Sequence, residues 1–148
     1  MTEKILFATD GSEHSQKALA FTAEMASRYE ARVYIINVVA KPTIPPELLE
    51  YISAEEIDEP PVSVYLDKIG KQITDKCELE LKSKGVGGCQ PTVLRGDPAE
   101  MILEFAKEHE IDAIVMGSRG LGPLKGRLLG SVTRKVMHGA NCTCIIVK

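Results

Sequence analysis

Ala113-Ile114-Val115-Met116-Gly117-Ser118-Arg119-Gly120, with Gly130-Ser131-Val132-Thr133 after nine intervening residues, is the stretch on which the reading of the fold turns. Its first four residues are apolar with no polar alternation, which predicts a strand buried on both faces. Glycines then break the run, and Gly130-Ser131 opens a short helical pattern. Strand, glycine-rich loop and helix start, in that order, present backbone N–H groups and a positive helix end to an anion, usually a phosphate.

Working outward, the same alternation recurs. Residues 4–9 read as a buried strand ending at Asp10-Gly11-Ser12. A helix follows, with Ser12 as N-cap and Ala18, Phe21, Met25 and Tyr29 on one face. Residues 32–39 form a second apolar run. Leu66, Ile69, Ile73, Cys77 and Leu81 recur at helical spacing until Gly85-Val86-Gly87-Gly88 stops them. Residues 92–95 predict a third strand, leading to Gly96-Asp97-Pro98-Ala99-Glu100, where Asp97 caps and proline takes the first helical position. Ile102, Phe105, Ala106 and His109 face inward or border that face. A last helix ends at Gly139, and residues 142–147 form the final strand.

This pattern predicts an α/β fold: one Rossmann-like domain over residues 1–148, an open doubly wound sheet of five parallel strands in the order 3-2-1-4-5. Ligands in such sheets bind beyond the strand C-terminal ends, where strand order reverses, and Asp10, Val38 and Gly117 lie at those ends. Residues 41–61 interrupt the rhythm with five of the eight prolines and six acidic residues. They read as a surface excursion with one helical turn around residues 48–52, serving as a lid, a partner surface or an inert insertion.

Composition bounds the partners. The chain has 148 residues, 44% of them hydrophobic, enough for one core. No apolar run approaches the roughly 20 residues of a membrane span, and no N-terminal signal pattern is present, so a cytoplasmic location is expected. The net charge of −3 hides an asymmetry: after Asp112 there is no acidic residue, while Arg119, Lys125, Arg127, Arg134, Lys135 and Lys148 are basic. That local field suits a small anion rather than a long nucleic acid. The four cysteines match no zinc spacing and read as free thiols; Cys142 and Cys144 share a strand face, too far apart for an easy disulfide.

The residues of the opening stretch supply the chemistry. Gly117 and Gly120 let backbone approach a ligand, and Gly130 does so at the helix entrance, where the amides of Ser131 and Val132 lack intrahelical partners. The hydroxyls of Ser131 and Thr133 add donors, and Arg119, Lys125 and Arg127 add charge. Lys125-Gly126-Arg127 has the wrong order for a Walker loop, and Asp10-Gly11-Ser12 has too few glycines for a dinucleotide fingerprint.

Gly117, Gly120, Gly130 and Ser131 match every fixed position of the Gly-x-x-Gly, nine residues, Gly-Ser/Thr pattern, and the chain resembles the universal stress protein family in its ATP-binding branch. Asp10-Gly11-Ser12, the acidic excursion, Gly96-Asp97-Pro98 and Ala140-Asn141-Cys142 extend the resemblance across the chain, with Cys142-Thr143 departing from a Cys-Pro pair. The resemblance implies an adenine-nucleotide-hydrolase-like fold and a bound ATP, AMP or ADP. It implies that the Val38 backbone reads the adenine edge, that Thr9 and Asp10 contact adenosine, and that Asp10 suits the ribose hydroxyls. It further implies that the turn Met116, Gly117, Ser118, Arg119, Gly120 and the helix entrance Gly130, Ser131, Val132, Thr133 hold the phosphates, with Mg²⁺ or Mn²⁺ bridging them, and that a homodimer forms through the last strand. Met116 is expected to pack at the strand end and also wall the ligand.

Three functions remain open on the residues alone: a nucleotide-binding regulatory module, a slow Mg-dependent ATPase, and a thiol redox sensor using Cys142 and Cys144. Hydrolysis needs a group to position water as well as charge on the phosphate. Arg119 and Arg127 meet the second need, but no carboxylate in the C-terminal segment meets the first.

Overall fold

Five parallel strands, β1 (Lys4–Ala8), β2 (Arg32–Val39), β3 (Cys89–Arg95), β4 (Ala113–Gly117) and β5 (Thr143–Val147), form one sheet in the order β3-β2-β1-β4-β5. Helices α1 (Glu13–Tyr29), α2 (Pro46–Ala54), α3 (Pro61–Ser83), α4 (Pro98–Glu108) and α5 (Ser131–Gly139) alternate with them. The computed structural model describes residues 2–41, 45–54, 61–119 and 129–148. The expected fold and strand order are both present. Among the described residues, no helix is long and apolar enough to cross a membrane.

Both faces of the sheet are covered, which explains the unalternating strand sequences. Ile5 and Phe7 of β1 enter one core with Val33, Ile35 and Val115, beneath α1 and α3. Leu6 and Ala8 enter the other with Ile36, Ile114 and Met116, beneath α4 and α5. Each fully buried Leu, Ile or Phe contributes about 1.5–3 kcal/mol. At the strand N-terminal ends, the Asp112 carboxylate accepts from the amides of Glu3 and Lys4 at 2.8 and 2.9 Å. Those bonds, with Lys4 first, hold its carboxyl below the usual range. They fasten β1 to the start of β4, closing that end of the sheet.

The caps form as expected. Ser12 accepts from Ser15 N, Asp97 accepts from Glu100 N, and Pro98 opens α4. The inner face of α1 contains Ala18 as expected, with Met25 packed against the core, but not the aromatic residues. Ala18, Leu19, Thr22, Ala23 and Ala26 are buried, whereas Phe21 and Tyr29 are 39% and 53% exposed. Small side chains let α1 lie close to the sheet, and the aromatic residues are displaced outward. Gly117 shows how close: a Cβ there would sit 2.9 Å from the His14 carbonyl carbon.

Within the excursion, the described part is more helical than one turn. α2 has nine residues with Leu48, Leu49 and Tyr51 exposed, and α3 begins at Pro61, five residues before Leu66. Gly70 lies in the interior of α3, where a Cβ would come within 2.8 Å of Asn37 Oδ1 and 3.0 Å of Val93. β3 starts earlier than expected, at Cys89. It is an edge strand, which is where Pro91 is tolerated. β5 is the opposite edge and starts at Thr143, leaving Cys142 just outside it.

Gly117→Ala tests the close approach of α1. Because the obstructing atoms are backbone, the substitution is expected to cost about 1–3 kcal/mol by overpacking. Urea unfolding of the two proteins measures this, and an unchanged midpoint would show that α1 has room to retreat.

Candidate functional site

The order β2-β1-β4 places the C-terminal end of β1 between its neighbours, and the chain reverses direction of build-up there. The registers Ala8↔Ile36 and Ala8↔Met116 bring Thr9 and Asp10, Asn37 and Val38, and Gly117 and Ser118 to one rim. The entrance of α5 is drawn to the same rim by two bonds. Gly130 N donates to Ser118 O at 2.8 Å, and Thr133 Oγ1 donates to Gly117 O at 3.1 Å. Thr9, Asp10, Val38, Met116, Gly117, Ser118, Arg119, Gly130, Ser131, Val132 and Thr133 are thus gathered at one end of the sheet. Gly120, Lys125 and Arg127 lie outside the described residues.

Several of these residues have work the sequence did not reveal. The Ser118 amide donates to Val147 O at 2.9 Å, extending the β4–β5 ladder by one rung. The Thr133 hydroxyl proton goes to Gly117, and the residue is 3% exposed. The missing Cβ of Gly117 serves α1 packing. What remains open to an anion is the first turn of α5, through the amides of Ser131, Val132 and Thr133, which helix geometry leaves without intrahelical acceptors. Its N-cap is Gly130, with no side-chain cap bond. By contrast, α1 and α4 are capped by their own Ser12 and Asp97. Their first turns carry Glu13 and Glu100, whereas that of α5 carries no acid. Gly130 has φ −60° and ψ 155°, a conformation open to any residue, so its backbone geometry does not require glycine.

The β1–α1 turn is held by a chain of buried hydroxyls. Gly11 N donates to Thr9 Oγ1 at 3.1 Å, Thr9 Oγ1 donates to Ser15 Oγ at 3.0 Å, and Ser15 Oγ donates to Ser12 O at 2.8 Å. Gly11 has φ +79°, the left-handed region that glycine enters without strain. Asp10 Oδ1 accepts from Ser12 N at 2.9 Å, so this carboxylate shapes the turn. Beneath the turn lies Cys77, 3% exposed; burial pushes its thiol from 9.0 up to about 11. Burial also raises the thiols of Cys142 and Cys144, and Cys144 Sγ lies 3.8 Å from Cys142 O.

A separate cavity of about 530 Å³ lies between α3 and the β3 edge, away from this rim. Its charges are internally paired: Arg95 Nε donates to Asp67 at 3.0 Å and Lys71 pairs with Asp75 at 2.7 Å. The sequence reading did not single out Asn37, Ser15 or Gly70 at or beneath the rim. A polar Asn37 inside the apolar run of β2 was the available signal.

The sequence model of the universal stress protein family matches residues 1–148, and the chain belongs to that family. Universal stress protein YxiE of Bacillus subtilis is 34% identical over the full length of both chains. The universal stress protein UspA from Lactobacillus plantarum superposes with a TM-score of 0.83 at 24% identity, covering 99% of this chain and 98% of its own. Two more solved structures share the fold. The Archaeoglobus fulgidus protein in complex with dAMP is 22% identical with TM-score 0.64, covering all of this chain and 98% of its own. The Arabidopsis thaliana protein with AMP bound is 20% identical with TM-score 0.68, covering 99% and 91%.

The Cys77 thiol gives a pH prediction. Its folded value is raised, so ionisation favours the unfolded chain. The stabilisation is full below about 9 and is lost as pH climbs toward about 11. Denaturant titrations across that window should show falling stability, with a shallower fall in Cys77→Ala. Parallel slopes in the two proteins would show that Cys77 is not the group responsible.

Proposed function

We propose that the rim binds an adenine nucleotide, ATP foremost, and that the chain works as a nucleotide-binding regulatory or stress-response module. The observation that carries this reading is the α5 entrance: a helix start without side-chain cap or acid, at the β1/β4 reversal point, with Arg119 beside it. A phosphate oxygen there would supply the missing cap, and each charge-assisted bond contributes about 1.5–3 kcal/mol. The family relatives in complex with dAMP and with AMP support adenine as the base.

In this reading Val38 backbone meets the base, Thr9 and Asp10 meet the sugar side, and Met116 walls the ligand. The residues 117–120 and Gly130, Ser131, Val132 and Thr133 face the phosphates, with Arg127 adding charge. Ser131 and Val132 carry more of the phosphate binding than Ser118, whose amide is engaged by Val147. Among the described residues, no group of three or more His, Cys, Asp or Glu side chains is placed to hold a metal ion. A divalent ion, Mg²⁺ or Mn²⁺, would therefore be carried in by the phosphates.

A slow Mg-dependent ATPase is the second reading, favoured only by the basic residues near the phosphates. The thiol-sensor reading is weaker. The nucleophile in oxidation is the thiolate, and burial keeps Cys142 and Cys144 protonated. The half-buried β5 edge, with Ile145, Ile146 and Val147, supports pairing with a second copy.

Gly130→Val tests the phosphate cradle. Valine can adopt the Gly130 backbone angles, but the position is buried, so urea unfolding first establishes that the variant is folded. In the folded variant, ATP affinity measured by titration calorimetry should fall at least about tenfold, near 1.4 kcal/mol. Equal affinity would mean that the α5 entrance is not the cradle. Sedimentation equilibrium should give twice the 16.2 kDa chain mass at micromolar concentration. A monomer there would exclude the β5 dimer.

A further inference from the structure

The β1–β2 ladder ends one rung short of Val38, although β2 continues to Val39. Ile36 faces β1, its carbonyl accepting from Thr9 N at 2.9 Å, while Val39 faces β3, its carbonyl accepting from Gly96 N at 3.0 Å. Alternate residues of a parallel strand address the same neighbour, so Val38 faces the β1 side as Ile36 does. A continued ladder would give the Val38 N–H to the Thr9 carbonyl and the Val38 carbonyl to the Gly11 N–H. Neither bond is made, and both partners take a different one. Thr9 O accepts from Asn37 Nδ2 at 2.8 Å, and Gly11 N donates to Thr9 Oγ1 at 3.1 Å. The paired register stops at Ala8↔Ile36.

We infer that Asn37, assisted by Thr9, is a positioning residue that withholds β1 from Val38 and leaves a backbone donor and acceptor side by side to read the ligand's base. The inference rests on the nucleotide reading above and gives its base preference a cause. An N–H beside a C=O matches the N1 acceptor and N6 amino donor of adenine, whereas guanine offers N1–H and O6, the reverse pattern. Asn37 and Thr9 are each 7% exposed, so water competes poorly for their bonds. Gly70 makes the arrangement possible, since a Cβ on α3 would come within 2.8 Å of Asn37 Oδ1.

Amide hydrogen exchange followed by NMR on the nucleotide-stripped, full-length protein is the test. In the wild type, Val38 should exchange at least about 100-fold faster than Ile36, and ATP should slow it. In Asn37→Ala, the released Thr9 carbonyl takes the Val38 N–H, so Val38 becomes protected without ligand. The preference for ATP over GTP should then fall about tenfold or more. A wild-type Val38 amide as protected as that of Ile36 overturns the inference, and this measurement decides even where Asn37→Ala fails to fold. An Asn37→Ala protein that keeps its full preference for ATP overturns it as well. Fast exchange at Val38 with no binding of either nucleotide removes the recognition role together with the nucleotide reading, while the early end of the ladder would stand.

Discussion

The departure of β1 from the sheet at Asp10 is the constraint on which the rest depends. β1 is the central strand, paired with β2 on one edge and β4 on the other. When it turns away, the two neighbours are left with a gap between them at their C-terminal ends. Thr9, Val38, Met116 and the turn at Gly117-Ser118 lie around those strand ends. α1 must begin immediately, because the chain has left the sheet. It begins so close to β4 that a Cβ at 117 would press on the His14 backbone. The positions read as ligand-facing glycine and as packing glycine are therefore set by one geometric event.

The gap also sorts the helix starts by their availability to an anion. α1 and α4 satisfy their own first-turn amides through Ser12 and Asp97, an interaction worth about 1 kcal/mol in each case. α5 forgoes that cap, since Gly130 has no side chain to offer. Its position is instead secured by Gly130 N on Ser118 O and Thr133 Oγ1 on Gly117 O, bonds that leave the remaining first-turn amides facing the rim. No acidic residue follows Asp112 in the sequence, so α5 and the turn before it bring no negative charge of their own. Stability forgone at the cap is the natural counterpart of a site that a ligand completes.

Much of this was legible in the sequence because strong local rules agreed with the tertiary outcome. Unalternating apolar runs announced a doubly covered parallel sheet, and Ser12 and Asp97-Pro98 marked helix starts that the structure contains. The failures have a common physical origin: they concern close approach between elements. The inner face of α1 follows the small residues Ala18, Thr22 and Ala26, four apart, and not the aromatic ones, because the helix needed proximity more than bulk. The roles of Gly70 and Gly117 depend on which backbone or side chain stands opposite, which periodicity does not encode. The engagement of the Ser118 amide by Val147, and of the Thr133 hydroxyl by Gly117, depends on register across β4 and β5. The role proposed for Val38 came from family resemblance, and the bonds of Asn37 and Thr9 that bear on it depend on tertiary contacts that the sequence does not encode.

The identity of the nucleotide retained by the purified protein tests the central claim most directly. Denaturing the freshly purified chain and analysing the released small molecules by chromatography and mass spectrometry should yield an adenine nucleotide, AMP, ADP or ATP, in an amount comparable with the protein. Release of a guanine or pyrimidine nucleotide would contradict the account. So would release of none from a protein that also fails to bind added ATP.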